Sequence, residues 1–261
     1  MSAIERVDPD LSTSTPRPHH GRTAVVTGAA LGIGNAYARR LAADGARVVL
    51  ADVADSTPTV AELTDSGAEA WAAHCDVSDP ESVSELARVV AEVGGADILV
   101  HNAAVYPFSS FDEMSFDDWR RVMSTNLDSL FLLTKAFLPR MRQQQWGRII
   151  GISSGMFHMG SPGMLHYVAS KGGVIAFVRS LASEVGADNV TVNAIAPGLI
   201  RSHGTSQGQH DELFRHVLDV QAIKRNGTPE DLAGTLSFLC SEDAGWVTGQ
   251  TWVVDGGMAR A

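Results

Sequence analysis

Short apolar runs alternate with longer amphipathic stretches along the whole chain. The runs Thr23–Val26, Arg47–Ala51, 69–74, Asp97–Val100, Arg148–Ile152, Val190–Ile195 and Gln250–Val254 are 4 to 6 residues each, the length of strands buried on both faces. Between them lie helical patterns. One runs through Tyr37, Ala38, Leu41 and Ala42 and stops at Gly45; a second opens at Ser78 or Asp79 with Pro80 in its first turn and runs to about Glu92. A third carries apolar residues at 119, 122, 123, 127, 130, 131 and 133, where Pro139 is expected to end or kink it. A fourth reads through Tyr167 to Glu184, and Thr228-Pro229-Glu230 opens the last. Strand–helix units repeated at this spacing predict an α/β fold: a doubly wound parallel sheet of Rossmann type, with helices on both faces.

The 261 residues fit one domain, expected over 21–261 behind a mobile tail of Ser, Thr, Pro and Asp over 1–20. His19 and His20 are read as solvent-facing. Net charge is −10, which argues against nucleic acid or an anionic membrane as partner, and basic residues are scattered. The start carries no secretion signal, and no apolar run approaches a membrane span, so a cytoplasmic setting is expected. Cys75 and Cys240 lie far apart and read as buried free thiols; no metal site is expected.

Candidate chemistry falls at strand ends. The first strand runs into Thr27-Gly28-Ala29-Ala30-Leu31-Gly32-Ile33-Gly34 and then a helix, the context in which a glycine turn and helix N-terminus cradle a phosphate. The second strand ends in Asp52, 18 residues after Gly34. A carboxylate there suits ribose hydroxyls and repels a 2′-phosphate, and no basic residue stands at 29–31 or 53–55, so NAD is favoured; a helix-capping role for Asp52 is the alternative. Asp76, at the end of the third strand, is placed for an adenine edge. Asn102, after the fourth, reads as structural support for that site, and His101 as a packed histidine. Asn126 is a polar residue inside an apolar stretch, costly unless paired. Ser153-Ser154 end the fifth strand, where one hydroxyl can donate to a substrate oxygen. Tyr167 and Lys171 stand four apart on one helix face, so an ammonium there would lower a phenol whose free pKa is ~10. Residues 200–222, with an amphipathic piece over 211–220, read as a substrate lid.

Taken together, Thr27-Gly28-x-x-x-Gly32-x-Gly34, Asp76-Val77, Asn102-Ala103, Asn126, Ser154, Tyr167-x-x-x-Lys171, Asn193 and Pro197-Gly198 resemble the short-chain dehydrogenase/reductase family from about residue 21 to the end. His101 and Ala104 depart from the Asn and Gly usual there. The resemblance implies that Tyr167 is the acid/base and that Lys171 lowers its pKa and bonds the nicotinamide ribose. It further implies that Ser154 orients the substrate oxygen and that Asn126 supports a water leading to Lys171. It implies a cofactor set of Gly28, Leu31, Gly32, Ile33, Gly34, Asp52, Asp76, Val77, Asn102, Tyr167, Lys171, Pro197, Gly198 and Ile200, and a homotetramer. Within the family, Tyr106-Pro107-Phe108 and Asp255-Gly256-Gly257-Met258 are similar to 1-phenylethanol dehydrogenases. Lys171-Gly172-Gly173-Val174-Ile175-Ala176-Phe177 and Trp246-Val247-Thr248-Gly249-Gln250-Thr251 are similar to pyridoxal 4-dehydrogenases. An apolar substrate pocket is expected from Tyr106, Met156, Met164 and Leu199. The expected activity is NAD-dependent hydride transfer to or from a medium-sized secondary or cyclic alcohol or ketone. The alternatives are an NADPH-dependent 3-oxoacyl thioester (acyl-carrier-protein) reductase and a non-catalytic dinucleotide-binding protein.

Overall fold

The structure, a computed structural model, describes residues 17–202, 205 and 211–259. The tail expected over 1–20 lies mostly outside the described residues, as do 203–204 and 206–210 of the expected lid.

Seven parallel strands form one sheet in the order β3-β2-β1-β4-β5-β6-β7. They are β1 (Thr23–Thr27), β2 (Arg47–Asp52), β3 (Ala70–His74), β4 (Ile98–His101), β5 (Gly147–Ile152), β6 (Val190–Pro197) and β7 (Thr251–Val254). The runs are β-branched and buried on both faces, so side chains two apart feed different layers. Val48 and Leu50 pack with α1 (Gly32–Ala43) and α9 (Pro229–Cys240); Val49 and Ala51 face α3 (Pro80–Glu92), α5 (Ser129–Gln143) and α7 (Leu165–Val185). Each fully buried leucine, such as Leu41 or Leu133, contributes about 1.5–3 kcal/mol by leaving water. The remaining helices are α2 (Thr57–Asp65), α4 (Phe116–Met123), α6 (Met156–Met159) and α8 (Asp211–Val220).

Chain order reverses at β1, whose neighbours are β2 and β4, which opens a crevice at the carboxyl ends of those strands. Three expectations change. Pro139 neither ends nor replaces the helix: α5 continues to Gln143, since a proline near a helix end removes a single rung. The stretch from Phe116 to Gln143 is one helical path interrupted by a π-helical turn at Ser124–Asp128, a widening that local periodicity does not reveal. His19 is fully buried rather than solvent-facing, with Nε2 3.1 Å from Ser237 Oγ on α9 and its amide donating to the Asp44 carbonyl. Cys75 and Cys240 are both free and buried, and no helix among the described residues is long and apolar enough to cross a membrane.

Candidate active site

The glycine turn is shaped by its neighbours. Gly28 and Gly32 have φ of 63° and 62°, a left-handed backbone that glycine adopts without strain. Gly34 is ordinary helix, yet a Cβ there would stand 2.1 Å from the Gly28 carbonyl oxygen and 2.5 Å from Asn102 Nδ2. Asn102, at the end of β4, donates from Nδ2 to the carbonyls of Thr27 (2.9 Å) and Gly28 (3.0 Å). The Thr27 hydroxyl accepts from the amides of Asn102 and Ala103. The turn, the start of α1 and the end of β4 are thus one bonded unit. Leu31 precedes α1 without a capping side chain, leaving the helix start free to meet an anion. A Gly34→Ala protein should lose about 1–3 kcal/mol of stability to this backbone collision, and its NADH affinity should fall with it. Urea melts and a fluorescence titration of NADH would read both effects. An alanine protein with unchanged melt and affinity would mean the turn has room that its neighbours deny.

Asp52 ends β2 beside this turn. Its carboxylate accepts from the amides of Ala30 (2.9 Å) and Ala54 (2.9 Å). The capping alternative fails, because α2 begins five residues later behind Ser56. Arg39 bonds Asn35 and Glu62, and Asn35 in turn donates to the carbonyls of Ala29 and Ala30. Asp76 is exposed, and its Oδ1 accepts from the amide and hydroxyl of Ser78. Val77 and Ile200 are buried in the core, and Ile200 packs against Gly227.

The proton-transfer candidates gather around the end of β5. Tyr167 and Lys171 lie on α7, with Lys171 Nζ 5.6 Å from the Tyr167 ring centre. The ammonium is buried and donates to the Ile152 carbonyl at 2.7 Å. Burial pushes its pKa down to about 7. Burial likewise raises the Tyr167 phenol; the Ser154 hydroxyl opposes that rise and Tyr106 adds to it. Removing the phenolate from water outweighs what Ser154 returns, so the phenol sits above its ordinary value. Ser154 Oγ also accepts from the Met156 amide at 3.2 Å.

Asn126 sits in the π turn, wholly buried. Its amide exchanges two hydrogen bonds with the Val105 backbone, both 2.8 Å, and donates to Ser170 Oγ at 3.1 Å. Ser170 donates to the Tyr167 carbonyl at 2.7 Å. The polar atom that looked costly in the sequence is thus fully paired, and it ties the loop after β4 to the helix of Tyr167 and Lys171. His101 is packed as expected, with Nε2 2.7 Å from Ser129 Oγ; burial, then the charge of Lys171, pushes its pKa down to about 3, so it is neutral.

Two supports escaped the sequence reading. Ser153 donates to the Lys171 carbonyl at 2.9 Å, and Ser170 links Asn126 to α7. Ser170 could have been found as the residue three after Tyr167, within reach of its carbonyl. Ser153 stood out beside Ser154 at the strand end, but its partner, the Lys171 carbonyl 18 residues on, had no local signal.

The crevice wall carries Tyr106, 45% exposed and edge-on to Tyr167 with ring centres 6.2 Å apart. Met156 opens α6, Met164 immediately precedes α7, and Leu199 follows the Pro197-Gly198 turn, each partly buried. Gly198 is held against Asp255, where a Cβ would meet the Asp255 side chain at 2.7 Å. The Pro197 carbonyl accepts from the Gly155 amide at 2.8 Å. Turns after β1, β4, β5 and β6 therefore converge with the end of β2. Among the described residues no cluster of His, Cys, Asp and Glu could hold a metal ion.

Comparison with known proteins agrees with this layout. A family model described as enoyl-(acyl carrier protein) reductase matches residues 28–259. A 3-oxoacyl-[acyl-carrier-protein] reductase of Synechocystis is 39% identical over 91% of this chain and 96% of its own. Nodulation protein G of Azospirillum brasilense is 40% identical over 91% and 98%. A candidate NAD(P)-dependent gluconate 5-dehydrogenase from Beutenbergia cavernae, crystallised with NADP, superposes with a TM-score of 0.88 at 36% identity, covering 94% of this chain and 99% of that one. A 3-oxoacyl (acyl-carrier-protein) reductase from Agrobacterium tumefaciens with NADP bound gives 0.87 at 29%, covering 93% and 96%. The expected nearness to pyridoxal 4-dehydrogenases and 1-phenylethanol dehydrogenases is thus corrected: that expectation rested on short segments, and whole-chain likeness leads to 3-oxoacyl reductases. The protein is an oxidoreductase of nicotinamide-dinucleotide type, and the chain belongs to the short-chain dehydrogenase/reductase family.

Proposed function

We propose that the protein interconverts a ketone and a secondary alcohol with NAD(H), and that its substrate is a 3-oxoacyl thioester or the matching 3-hydroxyacyl thioester. The observation that carries the chemistry is the meeting of Tyr167, Ser154 and buried Lys171 at the end of β5. Tyr167 passes a proton to or from the substrate oxygen, and Ser154 donates a hydrogen bond to that oxygen. Lys171 supplies a positive charge beside the phenol. Asn126 holds the Tyr167 helix through Ser170. When bound, the dinucleotide gives or takes the hydride. The residues that would hold it are Gly28, Leu31, Gly32, Ile33 and Gly34 at the phosphates, Asp52 at the adenosine ribose, Asp76 and Val77 toward adenine, and Asn102, Tyr167, Lys171, Pro197, Gly198 and Ile200 toward the nicotinamide end. The start of α1, uncapped by any side chain behind the left-handed turn at Gly28 and Gly32, fits that group.

For the substrate, the names of relatives 38–39% identical support the thioester over the free alcohol that the sequence suggested. A medium-sized free alcohol is the second reading, favoured by the ring edge of Tyr106 with Met156, Met164 and Leu199 beside Tyr167. For the cofactor, two similar crystal structures hold NADP, whereas Asp52 and the engaged Arg39 support NAD here. A homotetramer is supported by the family likeness and by exposed Phe131, Trp246 and Trp252.

Steady-state kinetics with acetoacetyl thioester, 1-phenylethanol and pyridoxal, each with both dinucleotides, tests the reading. The thioester should give the highest kcat/KM, and NADH a lower KM than NADPH. Higher kcat/KM for either free alcohol would move the substrate to the second reading, and tighter NADPH would overturn the role given to Asp52.

A further inference from the structure

His166, immediately before Tyr167, is wholly buried and belongs to no part of the chemistry above. Its place is unusual. Helix α7 begins at Leu165, and the residue before it, Met164, offers no side-chain cap. The amide of Tyr167 is one of the first four of the helix, which have no carbonyl partner within it. That amide donates to His166 Nδ1 at 2.9 Å. A nitrogen that accepts carries no proton, so the neutral ring holds its single proton on Nε2, which has no partner among the described residues. The groups that face the ring from other elements are Asp118 and Arg121 on α4, one of each sign, together with the Met164 carbonyl on its own segment. Burial is the largest influence and favours the neutral form.

We propose that His166 is a positioning residue: its neutral imidazole caps the amide of Tyr167 and so fixes the helical turn that presents the phenol to the substrate oxygen. Protonation turns Nδ1 from acceptor to donor, sets it against the Tyr167 amide, and releases that turn. The inference rests on the reading of Tyr167 as acid/base. It gives the enzyme an acid-side loss of turnover belonging to a group that never touches substrate. Because the folded ring resists protonation more than a free imidazole, that loss falls below pH 6.5, the ordinary value for histidine.

Two variants test it, with Tyr167→Phe as reference. His166→Gln keeps an acceptor that does not titrate; His166→Leu keeps bulk and removes the acceptor. The Gln protein should hold kcat within about twofold of wild type at neutral pH and lose the wild-type break on the acid limb of its kcat profile. The Leu protein should lose about tenfold in kcat at neutral pH, a deficit that closes below the wild-type acid break, with the KM for NADH unchanged. A Gln protein that keeps the acid break, or a Leu protein with wild-type kcat, overturns the proposal. Should the Leu protein fail to fold, the Gln profile decides alone. If Tyr167→Phe is inactive while both His166 variants behave as wild type, only the positioning idea fails; if Tyr167→Phe remains active, the acid/base reading itself fails.

Discussion

Tyr167→Phe is expected to lower kcat by about 10²–10⁴-fold, the contribution of a positioned acid/base group, while leaving the melting temperature and NADH affinity near wild type. The hydroxyl is the only atom removed, and it forms no part of the core. The direction of its pKa gives this prediction its shape. Burial holds the phenol above its ordinary value of 10.0, so at neutral pH the protein carries a protonated tyrosine, ready to donate as an alkoxide develops. The Ser154 hydroxyl partly offsets that rise, which ties the two side chains to one proton. Steady-state turnover beside a thermal melt is sufficient. A Phe protein with more than a tenth of wild-type kcat would remove Tyr167 from the chemistry.

Replacing Lys171 with Met should cost activity and add stability. Lys171 is buried with a pKa of about 7 against an ordinary 10.5, so the unfolded chain binds a proton more readily than the folded one. Below pH 7 the full penalty of burying this amine is present. Between 7 and 10.5 it fades, because the folded amine is already neutral while the unfolded one still has a proton to lose; above 10.5 it is gone. Wild-type stability from this group therefore rises with pH. Methionine fills similar space without a charge, giving up one bond to the Ile152 carbonyl worth about 1 kcal/mol. The desolvation penalty is larger, a few kcal/mol by the size of the shift. The Met protein, without dinucleotide, should melt several degrees higher at pH 6, and its advantage should shrink toward pH 10, while kcat falls at least 100-fold. Equal melting curves at both pH values would show that the lysine is solvated in a way its burial denies.

How far the sequence carried these conclusions depends on the range of each interaction. Strand runs and the Tyr167–Lys171 spacing are local, and the seven strands fall within a residue or two of their expected places. The glycine turn and Asp52 were legible because a strand, a turn and a helix are consecutive. What stayed hidden depends on distant partners. Asn126 announced itself as a polar residue in an apolar stretch, but not that it sits in a π turn clasping Val105. His19 looked exposed in its polar segment because Ser237, which receives it, lies 218 residues away. The upward shift of Tyr167 is a property of the assembled cleft: spacing places an ammonium nearby but does not report how much water is lost.

The Gly28–Asn102 bond spans 74 residues, and β1 becomes parallel to β4 only after two strands and their helices have been made. The phosphate turn, for all its compact sequence, is therefore not an autonomous piece. On the ribosome, a chain released as far as Gly95 would carry every glycine of the turn and still lack the side chain that locks it. Pairings of this range are slow to form, so competence to hold a dinucleotide should arrive late in folding, and a ligand that binds the finished crevice acts as a thermodynamic reward for completing it.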